Sequence, residues 1–199
     1  MRGYCFITDS ALSRAGNVSD VRSALAGGAA IIQYREKNAS QKKMYEEALL
    51  LRKICRKAIF IINDRPDIAL AVGADGVHIG QGDMPYHIAR RLLGKDKIIG
   101  VTAHNLKEAI EAERMGADYV GVSPIYRTAT KKDAGSPVGI GLIRKIKERV
   151  SIPVVAIGGI TSKNAGEVVA AGADAICSIS DVITKSDVKK AVSRLQSLF

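Results

Sequence analysis

Gly73-Ala74-Asp75-Gly76-Val77-His78-Ile79, Gly116-Ala117-Asp118-Tyr119-Val120-Gly121-Val122 and Gly172-Ala173-Asp174-Ala175-Ile176-Cys177 follow one pattern. In each, a glycine of the kind that stops a helix is followed by Ala-Asp and then by a short apolar run suited to a buried strand. The recurrence sets the period of the chain. Working outward from it, apolar and β-branched runs fall at residues 4–8, 30–34, 59–63, 76–79, 98–102, 119–122, 154–157 and 175–178. Helical patterns fill the intervals at 19–26, 41–56, 66–72, 85–93, 106–115, 140–149 and 164–171. A last helix is expected over 186–198, with Ser186 as its N-cap. Eight strands alternating with eight helices, the strands almost uninterrupted apolar runs, fit a parallel sheet covered on both faces. They predict a closed (β/α)8 TIM barrel occupying residues 1–199 as one domain. The alternative, an open doubly wound sheet, is not supported by the first strand-to-helix turn, which lacks Gly-x-Gly-x-x-Gly.

The chain has 199 residues, of which 47% are hydrophobic, and a formal net charge of +10. Such a composition belongs to a globular protein with a sizeable core. The apolar stretch after Met1 is too short for a signal peptide or a membrane span. Three widely spaced cysteines, Cys5, Cys55 and Cys177, form no metal-ligand pattern and fit buried thiols in a reducing cytoplasm. The positive charge raises the nucleic-acid class. No nucleic-acid motif accompanies it, and runs such as 144–149 read as solvated helix faces.

Almost every polar cluster follows a strand, where a TIM barrel builds its active site. Gly158-Gly159 after the seventh strand and Ser178-Ile179-Ser180 after the eighth suit a phosphate held by backbone N–H groups, or mark only tight turns. Arg35 and Lys37, two apart after the second strand, should share one direction at the barrel mouth. With Lys131, beside Thr128 and Thr130, they suit a diphosphate. Asp64 and Asp83 end consecutive strand–loop units. They suit Mg²⁺ shared with phosphate oxygens, or capping of the helices that open at Pro66 and Pro85. His78 and His104 lie near strand ends with no nucleophile beside them, and His87 reads as a surface residue of a helix.

In combination, Gln33-Tyr34-Arg35-Glu36-Lys37, Asn63-Asp64-Arg65, the stretch from Asp75 to Asp83, Gly100-Val101-Thr102-Ala103-His104 and the stretch from Pro124 to Lys131 closely resemble the thiamine-phosphate synthase family. The resemblance runs from the first strand to Ser180. It implies a (β/α)8 barrel that joins a hydroxymethylpyrimidine diphosphate to a thiazole phosphate with Mg²⁺, releasing diphosphate. Carried over by position, it implies that Gln33, Arg35, Lys37, Asn63 and Lys131 hold the pyrimidine diphosphate and that Asp64 and Asp83 hold the metal. Thr128 and Thr130, with backbone around Gly158, Ile179 and Ser180, would hold the thiazole phosphate. Arg35, Lys37, Thr102 and Lys131 are the implied catalytic groups. The family commonly has serine where this chain has Thr102, which keeps the hydroxyl and adds a methyl. The implied partners are these two small molecules, with no nucleic acid and no membrane, and a homo-oligomer is allowed.

Two other readings carry their own signatures. A thiazole tautomerase-like relative tends to have a histidine after the sixth strand, where this chain has Ser123-Pro124. A non-catalytic phosphate- or nucleic-acid-binding barrel would use the basic charge without needing Asp64 and Asp83.

Overall fold

The computed structural model describes residues 1–130 and 135–199. Eight parallel strands close in chain order into a barrel: β1 (Gly3–Ile7), β2 (Ile31–Tyr34), β3 (Ile59–Asn63), β4 (Gly76–Ile79), β5 (Ile98–Ala103), β6 (Tyr119–Val122), β7 (Val154–Ile157) and β8 (Ala175–Cys177). Closure is made by β8 beside β1, with Cys5 opposite Cys177. Around the barrel run α1 (Asn17–Ala26), α2 (Gln41–Ile54), α3 (Pro66–Ala71), α4 (Tyr86–Leu93), α5 (Leu106–Met115), α6 (Ile140–Lys147), α7 (Ala165–Ala170), α8 (Ser180–Ile183) and α9 (Val188–Gln196).

The strands are apolar throughout because their alternate residues enter two separate cores. Tyr4 and Phe6 of β1 pack outward beneath the helices, while Cys5 and Ile7 join Ile31, Ile61, Tyr119, Val155, Ala175 and Cys177 inside the barrel. The helices bury one stripe each: α6 turns Ile143 and Ile146 inward and leaves Arg144, Lys145 and Arg149 outside that stripe. That is the solvated face expected for this charge run.

The three Gly-Ala-Asp repeats have one structural job. In a parallel ladder, the N–H at the start of a strand has no ladder partner. Asp75, Asp118 and Asp174 each supply one from the side chain, accepting from Phe60 N, Ile99 N and Val154 N, all at 2.8 Å. The backbone N–H of each aspartate donates back to the carbonyl of that same residue at 2.9 Å. A cation from the helix before the clamped strand completes each group: Arg52 for Asp75, Arg90 for Asp118 and Lys147 for Asp174. The clamps join β3 to β4, β5 to β6, and β7 to β8.

The first pair departs from the pattern instructively. Ala30 stands where the aspartate would be and donates its N–H to Tyr4 O at 3.1 Å, but it has no carboxylate to return. Tyr4 N donates instead to Gln196 Oε1 at 2.8 Å. Gln196 ends α9, the helix that precedes β1 around the ring, and so takes the place held elsewhere by the cation. The barrel is thus four strand pairs clamped at the base, with the last helix closing the first pair.

Most element boundaries match the sequence expectation within a residue or two. Two features differ. The last helix is capped by Asp187, which accepts from Lys190 N at 2.9 Å, and not by Ser186. The four-residue α8 was absent from the expectation, being too short to show a period. Among the described residues, no helix is long and apolar enough to cross a membrane.

Candidate active site

The C-terminal strand ends surround a cavity of about 550 Å³ that reaches into the barrel interior. Every described residue expected at the site lines it; Lys131 lies outside the described residues.

One wall belongs to β2, β3 and β4. Arg35 is anchored at the backbone, where Thr8 Oγ1 accepts from its N–H at 2.8 Å and donates to its carbonyl at 3.0 Å. Its guanidinium meets Asp9 at 2.9 Å. Lys37 lies on the same side of the chain and pairs with Asp64. Glu36 points elsewhere and accepts from Asn38 N at 2.7 Å. Arg35 and Lys37 therefore share the cavity, as the two-residue spacing predicts.

Asp64 does not cap the helix that follows it. Its N–H continues the ladder to His78 O at 2.8 Å, and its backbone is left-handed at φ 61°. Aspartate tolerates that conformation. The N-cap position of α3 is Arg65, with no side-chain cap. Asp83 is likewise free of α4, whose N-cap position is Pro85; its carboxylate accepts from Gly80 N at 2.7 Å across its own turn. The capping alternative thus fails for both residues. Burial, reinforced by a hydrogen bond and charge repulsion from Asp64, pushes the Asp83 carboxyl above the usual carboxylate range. Two oxygen-donor carboxylates this close, at the edge of a phosphate-sized cavity, fit a hard divalent cation that completes its shell with water and substrate oxygens. Among the described residues there is no group of three or more His, Cys, Asp or Glu side chains placed to hold a metal by themselves.

The opposite wall comes from β6, β7 and β8. Thr128 and Thr130 form a small turn in which Thr130 N donates to Thr128 Oγ1 at 3.3 Å, and both line the cavity. Gly158 adopts φ 100°, and a Cβ there would come within 2.6 Å of Pro124 Cβ, so only glycine fits. Ile179 is the N-cap residue of the short α8 and Ser180 its first residue, and both line the cavity. The loops after β7 and β8 are tied together by Ser178 Oγ donating to Ile160 O at 2.7 Å and by Ser162 N donating to Asp181 Oδ2 at 2.8 Å.

Thr102, at the end of β5, stands between the two walls. Its carbonyl accepts from Gln81 Nε2 at 2.6 Å, and its hydroxyl meets His78 Nε2 at 2.9 Å. Sequence reasoning placed His78 near the site but named no group for it to act on. The fold supplies Thr102 on one ring nitrogen and Tyr119 on the other. His104 is drawn to Glu108 at 2.9 Å on the rim, and His87 is exposed. All three cysteines are buried free thiols, and burial raises Cys55 to about 12.

Comparison with known proteins gives the family. The thiamine-phosphate synthase of Methanosarcina barkeri is 54% identical over 188 residues, which cover 94% of this chain and 86% of that protein. The thiamine-phosphate synthase of Chloroflexus aurantiacus is 52% identical over 195 residues, covering 96% and 90%. The solved structure of thiamine phosphate pyrophosphorylase from Pyrococcus furiosus superposes with a TM-score of 0.91 at 45% identity, covering 98% of this chain and 94% of that one. The family model described as thiamine monophosphate synthase matches residues 4–182, and with these relatives it establishes that the chain belongs to the thiamine monophosphate synthase family.

Proposed function

We propose that this chain joins a hydroxymethylpyrimidine diphosphate to a thiazole phosphate, giving thiamine monophosphate and diphosphate. One observation carries the reading beyond family membership. Two polar walls face each other across one cavity, cations and carboxylates after β2–β4 and threonines, serines and glycines after β6–β8. A site of that form suits a transfer between two phosphorylated reactants, one of which loses diphosphate.

On this reading, Gln33, Arg35, Lys37 and Asn63 bind the pyrimidine diphosphate, with Lys131 assigned to the same group by family resemblance. Thr128, Thr130 and the amides near Gly158, Ile179 and Ser180 bind the thiazole phosphate. Asp64 and Asp83 would hold Mg²⁺, which when bound supplies Lewis-acid stabilisation of the departing diphosphate. Arg35 and Lys37 bring cationic donors to the same developing charge. The C–O bond to the diphosphate breaks, and the electron-rich aminopyrimidine carries the positive charge left on its methylene carbon. The thiazole nitrogen then uses its lone pair to form the new C–N bond. No side chain acts as a nucleophile; the protein holds the two rings in line and excludes water.

The direct test is to incubate the purified protein with both heterocycle phosphates and Mg²⁺ and to detect thiamine monophosphate. EDTA should stop the reaction and added Mg²⁺ restore it. Asp64→Ala and Asp83→Ala should each remove turnover while leaving the melting transition cooperative. Failure of the wild-type protein to form product under saturating substrates and metal would refute the assignment.

A further inference from the structure

Two strands of the barrel give up their inward side chains to make room for rings. A Cβ on Gly100 would stand 2.0 Å from Tyr119 Cζ, and one on Gly121 would stand 2.7 Å from His78 Cε1. The two rings occupy that space stacked on each other, with centroids 5.4 Å apart and planes inclined by 25°. Tyr119 Oη lies 3.0 Å from His78 Nδ1, and His78 Nε2 lies 2.9 Å from Thr102 Oγ1. Thr102 on β5, one of the catalytic groups that the family resemblance implies, is thus joined to the buried Tyr119 on β6 through His78 on β4, a half-buried ring that lines the cavity.

The chemistry of the groups gives the chain a direction. Tyr119 is buried, and burial strongly disfavours its phenolate, so the phenol keeps its proton. That buried proton needs an acceptor, and the hydrogen-bond geometry supplies the lone pair of His78 Nδ1. A neutral imidazole that accepts at Nδ1 carries its hydrogen on Nε2. That N–H donates to Thr102 Oγ1, which leaves the threonine hydroxyl proton to be given away into the cavity. With both ring nitrogens bonded to protein oxygens, His78 acts through Thr102.

We propose that His78 and Tyr119 are positioning residues that fix Thr102 as a hydrogen-bond donor toward a lone-pair acceptor on the pyrimidine diphosphate. The proposal deepens the functional reading above and rests on it for the identity of the ligand. It also makes a statement about selectivity: the substrate atom facing Thr102 is an acceptor, and an analogue offering an N–H there would meet a second donor. Threonine in place of serine fits this arrangement, because its extra methyl restricts the rotation of a hydroxyl that has one required direction.

The test begins on the protein without substrates. The chain has three histidines, so ¹⁵N-histidine labelling with His87→Gln and His104→Gln variants assigns the His78 ring. At mildly alkaline pH the wild-type protein should show the Nε2–H tautomer, and Tyr119→Phe should shift the ring toward Nδ1–H. An Nδ1–H tautomer in the wild-type protein would overturn the proposal, whatever the protein catalyses. With turnover established, Tyr119→Phe should lower kcat about tenfold, in keeping with one lost hydrogen bond at the reacting end. It should leave the KM for the thiazole phosphate unchanged. The Tyr119→Phe/Thr102→Val double variant should be no slower than Thr102→Val alone, because both changes remove one effect. Multiplying losses would refute the chain. If Tyr119→Phe does not fold, the wild-type tautomer decides the matter by itself. Absence of turnover with the Nε2–H tautomer present would leave this geometry standing and remove the functional reading beneath it.

Discussion

Replacing Asp118 by alanine or by asparagine separates the two parts of a base clamp. The carboxylate of Asp118 accepts from Ile99 N at 2.8 Å and from Arg90 Nη2 at 2.6 Å. Ile99 is fully buried, so alanine leaves a strand-start N–H without a partner, at a cost of about 1–3 kcal/mol. The ion pair is part-exposed and contributes about 0–1 kcal/mol. Asp118→Ala should therefore cost about 2–3 kcal/mol, which in a chain of this length lowers Tm by roughly 5–10 °C. The asparagine variant would keep an oxygen for Ile99 N–H and lose only the charge, so Asp118→Asn should cost about 1 kcal/mol or less. Denaturant and thermal unfolding of the two variants measure the gap. High salt should leave it unchanged, since screening acts on the ion pair and not on the backbone contact. Equal destabilisation by the two substitutions would refute the argument and make the charge pair the source of the stability.

The same logic assigns Gln196 the closing clamp. Gln196→Ala should destabilise by about 1–3 kcal/mol, whereas Gln196→Glu keeps the acceptor for Tyr4 N and should cost less in the same unfolding assay. Burial and the Asp64 carboxyl hold Asp83 above its ordinary range, so ionised Asp83 opposes folding at neutral pH and the opposition fades as pH falls through that raised range. Asp83→Asn should accordingly raise the Tm of the metal-free protein by a few degrees, seen by differential scanning, while removing turnover. Thr130→Val should raise the KM for the thiazole phosphate about tenfold or more, through the loss of one hydrogen bond to a charged group. Arg35→Lys should instead raise the KM for the pyrimidine diphosphate, because lysine lacks the planar fork. Initial-rate kinetics with each substrate varied in turn check both, and an effect on the same substrate from both variants would show the two walls to be wrongly divided.

The barrel was legible because its signals are local. A β-branched run bounded by a helix-stopping glycine needs only a dozen residues to be read, and the eight apolar runs recur at helix-length intervals. Arg35 and Lys37 were legible for the same reason, since a spacing of two on a strand end fixes a shared direction. The unread parts depend on distant contacts. Tyr119 sits inside an apolar run and reads as core; its role needs His78, 41 residues away, and the space vacated at Gly100. Gln196 reads as the polar face of an amphipathic helix, and its partner Tyr4 lies 192 positions away. Ser186 and Asp187 are adjacent residues of equal capping competence, so composition could not choose between them. The capping alternative for Asp64 failed through a left-handed backbone that turns its carboxylate to the cavity, which no spacing argument reveals.

The two ends of the barrel handle charge in opposite ways, and the difference bears on binding. At the base, every clamp carboxylate has one backbone N–H and one cation, and nothing is left over for a ligand. At the mouth, Lys37 is held by Asp64 while Asp64 and Asp83 repel each other. A diphosphate that draws Lys37 to itself leaves Asp64 without its cation and sharpens that repulsion. A divalent ion that occupies the two carboxylates displaces Lys37 and frees it for the diphosphate. Each ligand thus removes a cost the other would meet, and their binding must be coupled in both directions by the same factor. Calorimetric titration of inorganic diphosphate with and without Mg²⁺ should show affinity rising at least fivefold with the metal, the lower end of typical couplings at roughly 1 kcal/mol. Part of any such gain comes from the metal–diphosphate contact itself, so the informative comparison is Lys37→Met. With no ammonium to exchange between carboxylate and phosphate, its coupling should shrink toward that direct contact alone. An unchanged coupling factor in Lys37→Met would show that the lysine is a fixed bystander and that its pairing with Asp64 plays no part in assembling the site.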